Sequence, residues 1–146
     1  MTGPRREKPL VLIADDDEDI LELVRLRLDR CGYETVLARD GAEALATAIR
    51  RRPDAALLDV TMPGMDGYAV TEELRRDPAT AEIPVILLTA LAQTTDVARG
   101  FALGADDYVT KPFSPQELEG RVAAVLGRSD EPELAGLSLL RPAAEG

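Results

Sequence analysis

Short apolar runs alternate with amphipathic segments along most of this chain, and this alternation limits the fold more than any other feature. Three runs, LVLIA (10–14), DAALLDV (54–60) and IPVILLTA (83–90), are continuous and aliphatic. Such runs are typical of strands that are buried on both faces. Two shorter runs, at 33–38 and 105–110, complete a set of five predicted strands.

An amphipathic helix is predicted after each strand. Apolar residues recur at helical spacing from Glu18 to Arg30, and Gly32 then supplies a stop. The other predicted helices cover residues 40–51, 68–76, 93–103 and 114–128. Strict alternation requires parallel strands joined by right-handed crossovers, with helices on both faces. We therefore predict an α/β fold, a (βα)5 doubly wound parallel sheet of five strands.

Length and composition indicate one globular domain. The chain has 146 residues, of which 45% are hydrophobic, and we predict a flexible segment at 1–7, one domain at 8–127 and a short tail at 128–146 without an output domain. No apolar run approaches the ~20 residues of a membrane helix, and no signal peptide is evident. We expect a cytoplasmic protein that binds no membrane. The net charge of −10 disfavours direct nucleic-acid binding.

Several catalytic classes are excluded by what the chain lacks. It contains no histidine, which excludes Ser-His-Asp and Cys-His catalysis and histidine-ligated zinc. Its single cysteine, Cys31, cannot form an internal disulfide. Because Cys31 lies near the end of a predicted helix, we expect a buried and unreactive thiol.

Polar side chains follow the predicted strands at the points where they end. Asp15 and Asp16 follow the first strand, and the ends of the third, fourth and fifth carry Asp59, Thr89 and Lys111. Because the carboxyl ends of parallel strands lie along one edge of a sheet, we expect these side chains to converge. Carboxylate oxygens suit a hard cation, and few ligands with room for water suit Mg²⁺.

Each of these residues also has an ordinary structural explanation. Acidic residues at the start of a helix favour its dipole, and we adopt that explanation for residues 17–19. Asp59 alone is compatible with a turn, and Thr89 alone with a strand. Lys111 is more informative, because the chain has fifteen arginines and only one other lysine, Lys8. This bias indicates that a compact ammonium is needed at this position.

Competing motifs fail on particular residues. An EF-hand loop that begins at Asp15 would need glycine and glutamate where Ile20 and Leu26 stand. The chain has neither GxxxxGK nor GxGxxG for nucleotide phosphates. A phosphatase of the haloacid dehalogenase type would need an aspartate two residues after Asp59, where the chain has Thr61.

Four motifs together resemble the receiver domain of two-component response regulators, over roughly residues 8–127: VLIADDDEDI, LLDVTMPGMDG, VILLTA and GADDYVTKPF. The resemblance implies a flavodoxin-like receiver fold with Asp59 as the phosphoacceptor. It implies that Asp15 and Asp16 hold Mg²⁺, or Mn²⁺, together with Asp59 and the backbone carbonyl of Thr61.

The resemblance also implies the parts of a signalling switch. Thr89 corresponds to the switch hydroxyl, Tyr108 to the switch aromatic residue and Lys111 to the lysine that contacts the phosphoryl group. The Lys111–Pro112 peptide bond is cis in the family. Such a domain is not an enzyme in the usual sense, because it catalyses only its own phosphorylation and dephosphorylation.

The implied partners are proteins. A sensor histidine kinase or a phosphotransfer protein would supply the phosphoryl group, and a downstream protein would bind the face formed by the fourth helix, fifth strand and fifth helix. We favour a stand-alone receiver. The alternatives are a receiver fragment of a longer regulator with a DNA-binding or enzymatic output domain and, less favoured, a metal-dependent phosphohydrolase, for which the chain lacks a base.

The oligomeric state is constrained by ion pairs that family dimers use on the same face. Asp107 and Arg121 match one aspartate–arginine pair of such dimers. Glu117 matches the acid of a second pair, but Val97 stands where its arginine partner is expected. Because the set is incomplete, we expect a monomer or a weak homodimer.

Overall fold

The computed structural model describes residues 7–90 and 94–127. The elements in these ranges alternate along the chain as β1 Leu10–Ala14, α1 Glu18–Arg30, β2 Glu34–Ala38, α2 Gly41–Arg51, β3 Ala55–Asp59, α3 Gly67–Arg76, β4 Val85–Thr89, α4 Thr94–Ala102, β5 Asp107–Thr110 and α5 Pro115–Gly127. The predicted N-terminal segment, apart from Glu7, and the predicted tail at 128–146 lie outside the described residues.

The five strands form one parallel sheet in the order β2-β1-β3-β4-β5. One row of register partners crosses the whole sheet and consists of Leu37, Ile13, Leu57, Ile86 and Asp107. The connection from β1 to β2 runs towards one side of the sheet, and the connections from β3 to β4 and from β4 to β5 run towards the other side. This is the doubly wound arrangement. The predicted (βα)5 flavodoxin-like fold is therefore confirmed.

Helices cover both faces of the sheet. The strands β1, β3 and β4 are buried along their whole length, as their aliphatic sequences predict. Val11 and Ile13 of β1 pack with the buried stripes of α1 and α5, whereas Leu12 packs with those of α2 and α3. Successive strand residues thus pack into two cores, one on each face of the sheet. This packing holds the strands in place, and with them the strand ends that carry the polar side chains.

Side-chain caps fix where the helices begin. Asp17 accepts backbone hydrogen bonds at the start of α1, which confirms its structural interpretation. Ser114 accepts from the amide of Glu117 at 3.0 Å, as the capping motif predicts for α5. At α2, Asp40 accepts from the amide of Glu43. These caps hold the helix starts beside the carboxyl edge of the sheet.

Three expectations from the sequence are wrong in detail. The fourth strand begins at Val85, two residues later than the predicted start at 83. The thiol of Cys31 is exposed, because the buried stripe of α1 ends at Leu28 and the chain leaves the helix through Gly32 at a φ of 94°. The last strand begins at Asp107, two residues later than predicted, because the carboxylate of Asp106 binds the amide of Val85 at 2.9 Å and so belongs to the preceding turn. Among the helices of the described ranges, none combines the length and apolarity needed to cross a bilayer.

Candidate functional site

Three aspartates meet at the carboxyl edge of the sheet. Asp59 ends β3, and Asp15 and Asp16 follow β1. Each offers one carboxylate oxygen, and these three oxygens lie within 4.8 Å of one another. Asp15 and Asp59 are buried, with 0% and 2% of their surface exposed, whereas Asp16 is exposed. The predicted convergence of the three carboxylates is therefore present in the structure.

Lys111 joins the same cluster from the end of β5. Its Nζ lies 2.8 Å from Oδ2 of Asp15 and 3.1 Å from Oδ1 of Asp59. Its backbone amide donates to the carbonyl of Thr89 at 2.7 Å, and its peptide bond to Pro112 is cis. One ammonium therefore pairs with two of the three carboxylates. We call Asp15, Asp16, Asp59 and Lys111 the carboxyl-edge cluster.

Asp15 is held by contacts on both of its carboxylate oxygens. Oδ1 accepts from the amide of Asp17 at 2.9 Å, and Oδ2 accepts from Lys111. Its own amide donates to the carbonyl of Ala38 at 3.1 Å. Both carboxylate oxygens of Asp15 therefore have partners within the protein, and these contacts fix its position beside Asp16 and Asp59.

The electrostatics of the cluster leave negative charge in excess. Burial raises the pKa of Asp59, the carboxylates of Asp15 and Asp16 raise it further, and Lys111 opposes the shift. Desolvation acts to lower the pKa of Lys111, but its hydrogen bonds to Asp15 and Asp59 outweigh it, so the net pKa is raised and the group stays cationic. A divalent cation would relieve the remaining repulsion among the carboxylates.

The loop after β3 is fixed close to Asp59. The amide of Gly67 donates to the carbonyl of Val60 at 3.0 Å. A Cβ added at Gly67 would lie only 2.4 Å from the backbone oxygen of Asp59, so glycine is required for this close approach. Thr61, on the same loop, lines an open cleft of about 600 Å³ together with Asp16. The cleft gives solvent and ligands access to the cluster.

The predicted switch residues lie on the two strands next to β3 on the side of β5. Thr89 is buried and follows Leu88, the register partner of Asp59, so it stands beside Asp59 on the neighbouring strand. Tyr108 lies within β5 and is half-buried. Its ring makes an edge contact with Phe101 of α4, with 6.3 Å between centroids. The structure thus places Thr89 at the same carboxyl edge of the sheet as the cluster, and Tyr108 against α4.

Tyr68 and Arg99 are among the cleft residues that were not found from the sequence. They line the cleft together with Asp16 and Thr61. Tyr68 is one of three tyrosines in a chain with only 3% aromatic residues, and it follows the MDG turn directly. This scarcity was the available signal, since a buried tyrosine needs a partner for its hydroxyl.

Asp107 and Arg121, which match an ion pair of family dimers, form an ion pair with each other within the chain. Arg121 Nη1 lies 2.8 Å from Oδ1 of Asp107, and Arg121 Nη2 lies 3.7 Å from Glu117. Asp107 therefore has an intramolecular partner on the face of β5 and α5. The expectation of a monomer or weak homodimer stays a prediction.

An open parallel sheet with a ligand site beyond the carboxyl ends of its strands defines a flavodoxin-like α/β domain. Its acidic edge, with one half-buried lysine, is typical of a signalling receiver. Residues 11–123 match the family model described as the response regulator receiver domain, and the chain belongs to this family.

Known proteins of the family are similar over most of the described region. The chain is 48% identical over 122 residues to the DNA-binding dual master transcriptional regulator RpaA of Synechocystis sp., a match that covers 84% of this chain and 51% of that protein. It thus spans about half the length of this curated relative.

Solved structures agree with the fold. The Francisella response regulator 1452 receiver domain has a TM-score of 0.79 and 37% identity, covering 84% of this chain and 100% of that one. The receiver domain of sensor histidine kinase PA1611 from Pseudomonas aeruginosa, solved with a magnesium ion coordinated in its active site cleft, has a TM-score of 0.76 and 32% identity, covering 82% and 98%.

Proposed function

We propose that this receiver is a phosphorylation-dependent switch in which Asp59 accepts a phosphoryl group from a histidine of a sensor kinase or phosphotransfer protein. The observation that carries the proposal is the position of Asp59, which is buried at the carboxyl edge between two further carboxylates and 3.1 Å from the ammonium of Lys111. We assign this function to residues 8–127.

The donor set of the cluster fits a hard divalent cation. Carboxylate oxygens within 4.8 Å of one another are suitable ligands for Mg²⁺, which retains several waters, and Mn²⁺ fits the same set. Asp16, Asp59 and the backbone carbonyl of Thr61 would hold the ion, and Asp15 would reach it through water. When bound, the cation supplies positive charge that offsets repulsion between Asp59 and the incoming phosphoryl group.

The chain's own residues account for the transfer step. A carboxylate oxygen of Asp59 attacks phosphorus, and the new P–O bond forms as the P–N bond to the donor histidine breaks. The electron pair of that bond remains on the imidazole nitrogen. The ammonium of Lys111 and the hydroxyl of Thr89 stabilise the charge on the phosphoryl oxygens.

The same groups link the site to a protein-binding surface. When the hydroxyl of Thr89 turns towards the phosphoryl group, it leaves space into which the ring of Tyr108 turns. The face formed by α4, β5 and α5 then changes shape, and a downstream protein binds it. We do not expect this acidic domain to bind nucleic acid directly.

The arrangement of the full gene product has two candidates. One is the stand-alone receiver expected from the sequence, and the other is the receiver part of a longer regulator. Similarity to RpaA, described as DNA-binding and only half covered by this chain, favours the longer regulator. The intact mass of the native protein, purified from its own cells, distinguishes the two. Turnover of an external phosphate ester would instead indicate a phosphohydrolase.

Incubation with acetyl phosphate and Mg²⁺ tests the proposal. We expect one base-labile phosphoryl group in the wild type, none in the Asp59→Asn variant and an unchanged yield in the control Asp77→Asn, which alters an aspartate at the end of α3. A Lys111→Arg variant should respond poorly, since a planar guanidinium does not replace a compact ammonium. Phosphate located on Thr61 or Thr89 by mass spectrometry would overturn the assignment.

A further inference from the structure

Helix α4 is attached to the sheet by little apolar burial. Of its residues 96–102, only Gly100 is buried, and Phe101 has 46% of its surface exposed. A Cβ added at Gly100 would lie 2.8 Å from Cδ1 of Leu87 on β4, so the helix backbone sits directly on the sheet. Close contact without large buried side chains gives a helix that few interactions hold in place.

Two polar contacts from α3 hold this helix. The hydroxyl of Tyr68 donates to the backbone carbonyl of Asp96 at 3.3 Å. The guanidinium carbon of Arg99 lies 4.2 Å from the centroid of the Tyr68 ring, which is within the range of cation–π attraction. Tyr68 is itself fixed, because only 4% of its surface is exposed and it belongs to the core under α3.

The same pair lies between two openings of the molecule. Tyr68 and Arg99 line the cleft that contains Asp16 and Thr61. Tyr68 also lines a narrow crevice beneath α4, whose other walls include Leu87, Val97, Gly100, Phe101 and Tyr108. The pair is therefore placed where the metal and phosphoryl site meets the surface of α4 and β5.

We propose that Tyr68 and Arg99 form a latch that holds α4 against α3 and opposes the activated arrangement of α4 and Tyr108. This regulatory role rests on the proposed function of the site. Because the latch contacts belong to the resting state, their loss shifts the two-state equilibrium towards activation. A cation–π contact at an exposed site corresponds to a change of roughly two- to fivefold in that equilibrium.

A different role for Arg99 predicts the opposite sign. An exposed guanidinium beside the site would attract an anionic ligand, so its removal would weaken the binding of a phosphoryl mimic. Removal of a latch strengthens that binding, because less of the binding free energy is then needed to move α4. Tyr68→Phe separates the effects further, since it removes the hydroxyl bond to Asp96 without changing the charge.

The test uses the full chain with Mg²⁺ and beryllofluoride as the phosphoryl mimic. Arg99→Gln and Tyr68→Phe are compared with the wild type and with Arg50→Gln, which removes an exposed arginine from the far end of α2. Titration gives the affinities for Mg²⁺ alone and for beryllofluoride in excess Mg²⁺. Hydrogen exchange of the amides of α4, without beryllofluoride, reports how firmly the helix is held.

The latch predicts that Arg99→Gln binds beryllofluoride roughly two- to fivefold more tightly, with a smaller gain for Tyr68→Phe and none for Arg50→Gln. Exchange in α4 should be faster in the first two variants only, while the affinity of the charge-neutral Tyr68→Phe variant for Mg²⁺ stays unchanged. Equal or weaker beryllofluoride binding, or unchanged exchange, overturns the latch. A wild type that binds Mg²⁺ but no beryllofluoride instead overturns the proposed phosphoacceptor function, and the exchange data still decide whether the pair holds α4.

Discussion

The two edges of the sheet carry polar clusters of opposite character. At the amino edge, Arg75 donates to the backbone carbonyls of Gly104, Ala81 and Ile83 at 2.7–3.1 Å, and to the carboxylate of Asp106 at 3.0 Å. We call Arg75 and Asp106, with these carbonyls, the amino-edge cluster. Asp106 is also bound by the amide of Val85. Each charge there has partners supplied by the chain.

At the carboxyl edge the chain supplies too few positive charges. The carboxylates of Asp15, Asp16 and Asp59 meet there, and within the described residues Lys111 forms ion pairs with two of them, Asp15 and Asp59. The pKa of Asp59 is raised by burial and by the neighbouring acids. The charges are thus balanced at the amino edge and unbalanced at the carboxyl edge. The amino-edge cluster, whose charges are paired, stabilises the fold. Uncompensated charge, as in the carboxyl-edge cluster, is typical of a ligand site.

The largest effect is expected at the amino edge. Arg75→Ala should lower the free energy of unfolding by about 3 kcal/mol, since it removes the donor of partly buried carbonyls and the ion-pair partner of Asp106. Urea unfolding measures this loss. The adjacent Arg76→Ala, whose side chain is 64% exposed, should change stability by less than about 0.5 kcal/mol. A large effect of Mg²⁺ on the loss caused by Arg75→Ala would contradict the separation of the two clusters.

A smaller and metal-dependent effect is expected for Lys111→Ala. Without its ammonium the carboxylates repel one another, and in chelator we expect a loss of about 2 kcal/mol. The raised pKa of Lys111 means that its contribution is fully present below the ordinary lysine pKa and is lost only at more alkaline pH. Saturating Mg²⁺ should restore part of the stability, because it binds the native state. If Lys111→Ala lost the same free energy of unfolding in chelator and in Mg²⁺, the carboxyl-edge cluster would have no excess of negative charge.

The sequence predicted one cluster and missed the other, for a physical reason. Asp59 and Lys111 stand at the carboxyl ends of predicted strands, so the parallel sheet alone brings them together. Arg75 binds mainly backbone carbonyls, which have no signature in the sequence. The adjacent Arg76 has the same chemistry, and only tertiary packing decides which of the two turns inward.

Helix ends and helix contacts show the same limit. The start of α5 was predictable because Ser114 and Glu117 form a local motif. The contact between Tyr68 and Arg99 joins two helices that lie far apart in sequence, and no local pattern encodes it. The exposure of Cys31 depended on where α1 leaves the sheet, which the helical period alone does not determine.

The smallest effect concerns pH and Asp59. In chelator at neutral pH, Asp59→Asn should raise the free energy of unfolding by about 1 kcal/mol, because it removes a carboxylate whose ionisation is unfavourable in the folded protein. A raised pKa makes the wild type lose stability as the pH rises from the ordinary aspartate pKa to the raised one. The gain should therefore vanish below that range. A gain that persists at acid pH would indicate a packing effect.

The most direct test of the excess charge is the effect of Mg²⁺ on this same variant. Thermal unfolding of the wild type and of Asp59→Asn is compared in chelator and in saturating Mg²⁺, with Arg76→Ala as the control. We predict that Asp59→Asn is the more stable protein in chelator and the less stable one in Mg²⁺, because it has lost a ligand of the ion as well as the repulsion. If Mg²⁺ raises the unfolding temperature of both proteins equally, the carboxyl-edge cluster is not the metal site and the account is contradicted.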